Sequence, residues 1–468
     1  MNKGNNKNIF LEEYENEFSY KKSKSNLKIE FNRVAFIFFV FLTISLVYSI
    51  QLFHLGSLKT NIKEKKQIIN KKNYRADIID RNGNYLVKTV SSIDIGINPA
   101  EVIDKKKLLI NLKLIFPNKD YSEIKKKINK EKFFYFEKKI SAINYEKIML
   151  LGDKAIRSEE KLTRIYPQKN LFSHIIGQID DDNKGIAGIE KSFDKKLKLI
   201  KEPLKLTVDT DIQFLIREEL KNFNLIFRSK GSAAILMNVD NGEVISMTSY
   251  PDFDLNKREK IDDINYINRA TKGVYELGSV FKTFTIAAGL DAGLIKPETK
   301  FLNLEKKLKC GKNTIAEYDN KIPSDLTVEE VLIRSGNIGS VRIGQKLDIE
   351  RLKSFLEKIG VLNKIDFDIE EVGEPIPFRW GKCKLATVSF GHGITTTPLQ
   401  LAKAYAIISN GGFEIKPTLI KQNFTKKNKR IIKKGVSEKI NLMLRKIVTT
   451  KEGTAGLANI KGYEVAGK

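Results

Sequence analysis

The spacing of apolar positions changes several times along this chain. Residues 34–55, VAFIFFVFLTISLVYSIQLFHL, run for 22 positions without a charge, against the roughly 20 that a helix needs to cross a bilayer. No small-residue cleavage pattern comes after them, so an uncleaved anchor is expected rather than a signal peptide. In YRADIIDRNGNYLVKTV (74–90) two β-rich stretches flank Asn82-Gly83, a hairpin signal. Residues 103–151 read as Lys-rich amphipathic helices, with Leu108, Leu109, Leu112, Leu114 and Ile115 near helical spacing. The pattern restarts at KEPLKLTVDTDIQ (201–213). A second hairpin is expected over 232–251, turning at Asn241-Gly242. Helices come next. The stretch 278–293 places Phe281, Phe284, Ile286 and Leu290 around a buried helix, 327–335 opens on a Thr327 to Glu330 capping box, and 349–360 is amphipathic and stopped by Gly360. Residues 462–467 read as a closing strand. Strands, then helices, then a strand predict an α+β fold, an antiparallel sheet covered by helices. There is no repeat of solenoid period.

Composition sharpens this picture only in part. The chain has 468 residues, of which 41% are hydrophobic, enough for more than one domain with a real core. Its formal charge of +26 would suit a nucleic-acid partner if the lysines formed a patch. They are instead spread in runs such as IKEKKQIINKK (62–72) and EIKKKINKEK (123–132), so solvated faces are the reading and nucleic acid is not expected. Lys21, Lys22, Lys24, Lys28 and Arg33 precede the apolar span, which places the tail, 1–33, in the cytosol and everything after residue 55 outside it. Two extracytoplasmic regions are expected, 56–202 and 203–468. Only Cys310 and Cys383 are present, which excludes a four-cysteine zinc site and leaves a single disulfide between them open. His54, His174 and His392 are too scattered to argue a metal site, and no cofactor is implied.

Three short stretches carry candidate chemistry. In Ser279-Val280-Phe281-Lys282 a spacing of three on a helix puts hydroxyl and amine on one face, and apolar neighbours can keep the amine partly neutral so that it takes the serine proton. Taken singly, Ser-x-x-Lys is far more often a solvated pair. It begins at Ser19, Ser25, Ser122, Ser158, Ser192 and Ser279, and only the last opens an apolar helix. Ser335-Gly336-Asn337 comes directly after a helix. In an extended loop its hydroxyl and carboxamide can face one cleft; the plainer alternative is a helix C-terminal turn with Gly and Asn left-handed. The third is the closing Ala466-Gly467-Lys468, whose ammonium can hold a carboxylate or face Ser335.

Ser-x-x-Lys, Ser-x-Asn 56 residues later and a Lys on a strand after a further 133 is the order seen in penicilloyl-serine transferases. The chain resembles that family, and more narrowly a class B penicillin-binding protein of the division-type, FtsI-like branch. RADIIDRNG (75–83), with Ala76 where Gly is usual, resembles the opening motif of the family's non-catalytic pedestal domain. RIYPQKNLFSHIIGQID (164–180), with Arg164, Tyr166, Pro167, His174 and Gly177, and GIAGIEKSFDKKL (185–197), with Gly188 and Glu190, resemble its later motifs. YPDFDLN (250–256), NRATKGVYELGSVFKTF (268–284) and FGHGITTTPLQLAKAYAIISNGG (390–412) are similar to stretches of the transpeptidase domain.

The resemblance implies a pedestal over 56–202, a transpeptidase domain over 203–468, and septal peptidoglycan D,D-transpeptidase activity on stem pentapeptides. It implies Ser279 as nucleophile, Lys282 as general base, Ser335 as proton relay, Asn337 as holder of the substrate amide and Lys468 as part of the electrostatic network. β-Lactams are implied ligands, and a membrane-embedded glycan polymerase and other division proteins are implied partners. The family's third motif continues from lysine into Thr-Gly and a strand that are missing after Lys468. The chain is therefore expected to be a fragment cut inside that motif, acylating weakly or not at all. Alternatives within the fold are a D,D-carboxypeptidase or β-lactamase-like hydrolase; outside it, a penicillin-binding scaffold or sensor without turnover.

Overall fold

A computed structural model of the chain describes residues 24–57, 74–257, 263–422 and 428–468. Most of the tail and the lysine run at 62–72 lie outside the described residues. The chain divides into two units, Met1–Lys72 and Asn73–Lys468. In the first, helix α1 (Lys24–Ser57) contains the expected apolar span, and its stretch Asn32–Ser57 is long and apolar enough to cross a membrane. Its described side chains are largely exposed, as a lipid-facing surface requires.

The second unit opens with strands β1 (Ile78–Ile79) and β2 (Tyr85–Ile97), joined through the Asn82-Gly83 turn that the sequence predicts. Asp80 shapes this turn. Its carboxylate accepts from the backbone N–H groups of Asn82 and Asn84, each at 2.8 Å, and from the Thr210 hydroxyl at 2.7 Å. Burial alone would raise its pKa, but these hydrogen bonds win and hold it below the usual range. Helices α2 (Lys105–Ile115) and α3 (Tyr121–Asn129) come next, each capped by an aspartate, Asp104 and Asp120. A strand, β3 (Phe134–Ile140), then interrupts the helical run expected over 103–151, before α4 (Ala142–Met149) and β4 (Ile156–Ile165). Strand β2 pairs antiparallel with both β3 and β4, and Leu108, Leu112, Ile124, Ile128 and Ile148 pack on Ile95, Ile97 and Phe136.

The three motif stretches of this region meet in one buried ion cluster. The Arg75 Nε donates to Glu190 at 2.5 Å and its Nη1 to Asp194 at 2.7 Å, while Arg164 reaches the other Glu190 oxygen at 3.0 Å. Arg164 also donates to the Ala76 carbonyl at 2.8 Å. Arg75 and Glu190 have no exposed surface. Such a cluster is costly to bury and far costlier to break, because removing one partner strands the others in low dielectric. Glu190→Ala is therefore expected to cost about 3–5 kcal/mol, measured as a fall in the urea midpoint of the detergent-solubilised chain; an unchanged midpoint would remove the cluster from the stability account.

No break in packing marks the sequence boundary at 201–213. Strand β5 (Leu204–Lys205) adds to β1 in parallel, and helix α5 (Thr210–Phe227) begins at once, capped by Asp209. Leu204, Leu206 and Val208 share one core with Ile78, Ile189, Val244 and Leu419. The predicted second hairpin is β6 (Ser232–Met237) and β7 (Val244–Tyr250). Among the described residues it is the whole of the antiparallel sheet expected here, flanked by isolated bridges from Leu206 and Glu243 to residues 420 and 418.

The remaining core is helical. Helix α6 (Lys282–Asp291) packs against the others, and a small hairpin, β8 (Lys307–Cys310) and β9 (Asn313–Ala316), stands beside them. Helix α7 (Val328–Ile333) has the predicted capping box, with Thr327 and Glu330 bonded reciprocally. Next comes α8 (Asn337–Lys358), broken at Asp348 (φ 64), so the predicted amphipathic stretch is its second half and ends before Gly360 (φ +80). Helices α9 (Lys382–Val388), α10 (Pro398–Ser409) and α11 (Lys434–Thr449) complete the body. Cys310 on β8 and Cys383 on α9 form a disulfide, with Cα atoms 5.3 Å apart and a sequence separation of 73.

The closing strand expected over 462–467 is not formed. The chain turns at Gly462 (φ +89), and residues 464–468 pair with no strand among the described residues. A strand needs a neighbouring extended backbone. Here the Arg445 side chain donates to the Val465 carbonyl at 2.5 Å and the Gly467 N–H donates to the Leu444 carbonyl at 3.2 Å, so α11 holds the segment instead.

Candidate active site

Ser279 lies in a single 3-10 turn, Gly278–Phe281, that runs directly into α6. Phe281 and Phe284 are buried with their rings perpendicular, 5.3 Å between centroids, and this anchoring sets which way the turn faces. Ser279 is exposed; Lys282, three residues on, has no exposed surface. Two neighbours brace the turn. The Tyr405 hydroxyl on α10 donates its only proton to the Val280 carbonyl at 2.9 Å, so its 2.9 Å contact with Thr283 is one in which it accepts. In the loop 390–393, Gly391 (φ +90) lies so close to Gly278 that a Cβ there would stand 1.9 Å from the Gly278 oxygen. Only glycine fits.

Lys282 is held by the second predicted stretch. Its Nζ donates to the Ser335 carbonyl at 2.5 Å and to the Ser335 Oγ at 3.0 Å. Burial pushes its pKa down to about 7; the nearby Lys468 charge pushes the same way, and Glu317 opposes both. Lys468 is itself brought down to about 8 by burial.

Ser335 owes its position to the end of α7. The Gly336 N–H bonds the Val331 carbonyl at 2.9 Å and the Ser335 N–H bonds the Leu332 carbonyl at 3.2 Å, the paired closure of a Schellman turn. The left-handed residue in that turn is Ser335 itself (φ 58), while Gly336 has φ −65. The loop thus takes neither of the two forms its sequence suggests: it is not extended, and it is not left-handed at Gly and Asn. A serine stands where glycine is usual, a strained choice that buried surroundings and the Lys282 hydrogen bonds sustain.

Ser279, Ser335 and Lys468 line one open cleft of about 320 Å³, together with Val280, Tyr318 and Thr454. Lys282 lies beneath it. Asn337 is not among the lining residues: half-buried at the start of α8, it donates from its carboxamide to the Ala316 carbonyl at 2.8 Å. Glu317, which no motif singles out, accepts from the backbone N–H groups of Asn337 at 2.6 Å and Ile338 at 2.9 Å. Tyr318 donates to the Arg334 carbonyl at 3.2 Å. The only sequence signal for these residues is their place at the end of a short hairpin, which is no signal of chemistry. A larger cavity, about 540 Å³, lies among Asp94, Lys138, Lys161, Arg164 and Asp180, and none of the five predicted site residues reaches it.

The histidines are structural or peripheral. His174 is buried, which lowers its pKa to about 4, and its Nε2 donates to the Asn265 carbonyl at 2.7 Å. His392 is exposed, with Nδ1 at 3.3 Å from Glu276. Among the described residues no cluster of His, Cys, Asp or Glu could hold a metal ion.

A buried lysine near neutral pKa, one helical step from an exposed serine and bonded to a second serine, is equipped for acyl transfer through a serine ester. The family of penicillin binding protein transpeptidase domains matches residues 232–468, and that of Penicillin-binding Protein dimerisation domains matches residues 70–219. The chain is 30% identical over 403 residues to a probable peptidoglycan D,D-transpeptidase FtsI of Caulobacter vibrioides, with 84% of this chain and 68% of that protein covered. It is 29% identical over 454 residues to the stage V sporulation protein D of Bacillus subtilis, with the same shares covered. To the peptidoglycan D,D-transpeptidase FtsI of Escherichia coli it is 26% identical over 434 residues, covering 84% of this chain and 72% of that one. With one apolar N-terminal helix, a dimerisation-type domain and a transpeptidase domain in that order, the chain belongs to the class B penicillin-binding proteins, FtsI-like serine D,D-transpeptidases of cell-wall synthesis that bind peptidoglycan and β-lactams.

Proposed function

We propose that Ser279 attacks the penultimate D-Ala carbonyl of a stem pentapeptide, passing its proton to Lys282. Collapse of the tetrahedral intermediate breaks the D-Ala–D-Ala amide, the leaving amine takes a proton by way of Ser335, and D-Ala departs. The side-chain amine of a second stem then attacks the ester, releases Ser279 and forms the cross-link. The observation that carries this reading is the setting of Lys282: buried three residues from the exposed Ser279 and bonded to Ser335, with burial lowering its pKa to about 7 so that it can accept a proton. The Ser279 N–H supplies one oxyanion donor, aimed at charge present only in the transition state. Asn337, with one N–H on Ala316, keeps its carboxamide oxygen and second N–H for the substrate amide. Lys468, at the cleft, favours the developing negative charge.

We further propose that the protein acts in septal synthesis beside a membrane glycan polymerase and other division proteins; the motifs and the likeness to FtsI relatives support this reading. The tail lies in the cytosol and the body outside the plasma membrane. The basic residues before the span support this orientation, as does the Cys310–Cys383 disulfide, since such bonds persist in oxidising compartments. Cross-linked dimer is the expected product when the full chain meets uncross-linked pentapeptide strands, measured by chromatography and mass. Released D-Ala with tetrapeptide alone would make it a carboxypeptidase, and labelling by penicillin without either product would make it a scaffold.

A further inference from the structure

We infer that Glu317 is a positioning residue for acylation: its carboxylate fixes the start of α8 and thereby sets Ser335 and Asn337 against Lys282 and Ser279. The inference rests on the assignment of Ser279 as nucleophile and goes beyond the three motif stretches.

The geometry is that of a two-pronged clamp. One Glu317 oxygen takes the Asn337 N–H at 2.6 Å and the other takes the Ile338 N–H at 2.9 Å. These are orphan donors at a helix N-terminus, where a carboxylate is favoured by the helix dipole as well as by the hydrogen bonds. Gly336 at the N-cap has no side chain to do this work. The residue before Gly336 is Ser335, in its left-handed conformation. The two hydrogen bonds from Lys282 to Ser335 thus hang from a backbone whose C-terminal side Glu317 ties down. The residue before Glu317 contributes as well, because the Ala316 carbonyl holds the Asn337 carboxamide at 2.8 Å. The hairpin carrying both is fastened at its other strand by the Cys310–Cys383 disulfide. The support for Asn337 and Ser335 is therefore covalently anchored.

Glu317 also acts on Lys282 by charge. The charged groups that bear on this ammonium are Lys468 from the closing segment and Glu317 from the hairpin, with opposite effects. The other ionisable groups around it, Tyr318 beyond Ser335 and Tyr405 on α10, hold their protons above the usual tyrosine range because of burial. Losing the Glu317 charge makes the lysine easier to deprotonate, so the pH at which Lys282 becomes neutral moves down.

This gives a readout that a purely structural role would not move. The acylation rate of the full chain by a fluorescent penicillin is measured from pH 5.5 to 9 for wild type, Glu317→Gln and Glu317→Ala, with thermal melts alongside. Glu317→Gln keeps an acceptor and loses the charge: its acid limb is expected to move to lower pH by about half a unit, with a plateau about threefold below wild type. Glu317→Ala also loses the clamp, and its plateau is expected to fall about tenfold or more with the same acidward shift. Plateaus within twofold of wild type, or lower plateaus with an unmoved acid limb, would overturn the inference. If wild type labels but the adduct maps to a residue other than Ser279, the underlying assignment fails and takes this one with it.

Discussion

Replacing Ser279 by alanine is expected to abolish covalent capture of penicillin while leaving the fold untouched. Intact-mass spectrometry of the full chain after hours with excess penicillin should show one added penicilloyl group on the wild type and none on Ser279→Ala. In the proposed mechanism the effect is all-or-none, because there the hydroxyl is the atom that becomes the ester and no neighbour can stand in for it: Ser335 is buried and points its Oγ to Lys282. The thermal melt should not change, since Ser279 is exposed and the turn is held by Phe281, Phe284, Tyr405 and Gly391 rather than by its side chain. An adduct persisting on the variant, mapped by peptide mass to another serine, would move the nucleophile elsewhere.

Lys282→Met is expected to lower the acylation rate by about 10²–10⁴, the usual contribution of a positioned general base, and to do so without weakening the fold. Wild-type acylation should rise with pH through a midpoint near 7, the pKa to which burial brings this amine, and the variant should lose that limb. Stability also depends on pH through this group. Folded Lys282 titrates near 7 and an unfolded lysine near 10.5, so between those values the unfolded chain binds the extra proton and stability rises with pH. Below pH 7 the full cost of burying an ammonium is present. Methionine fills the same space without that charge; what it loses is the donor to both the Ser335 carbonyl and the Ser335 Oγ, a cost of about 1–3 kcal/mol. At pH 6 the melting temperature of Lys282→Met should therefore be no lower than that of wild type, and its rise between pH 7 and 10 should be smaller. A clear destabilisation at pH 6, or an undiminished acylation rate, would contradict a buried base held at a stability cost.

Much of this arrangement is legible without any fold, and the reason differs from element to element. The anchor is readable because 22 uncharged residues have few other uses. The hairpin turning at Asn241-Gly242 and the α7 capping box are readable because they are local, decided by residues a few positions apart. Ser279 and Lys282 are readable together because a helix carries its own geometry, so a spacing of three already states that the side chains share a face. Where pairing reaches across the chain, this logic stops. Nothing near Cys310 names Cys383, and β3 hides in a lysine-rich run because its strand character comes from lying against β2. The closing segment has a strand's residues but only a helix beside it, and so forms no ladder.

By itself, then, the sequence determined the elements whose cause is local: the apolar span, the two Asn-Gly turns, the α7 capping box, the serine and lysine on one helical face, and the family they belong to. The tertiary structure alone decided that Arg75, Arg164 and Glu190 share one buried charge cluster, that Ser335 rather than Gly336 turns left-handed, and that Glu317 clamps α8. It also decided the chemistry. A lysine becomes a base near neutral pH only when the fold takes it out of water and sets another cation nearby, and desolvation is a property of the packed surroundings rather than of any four consecutive residues.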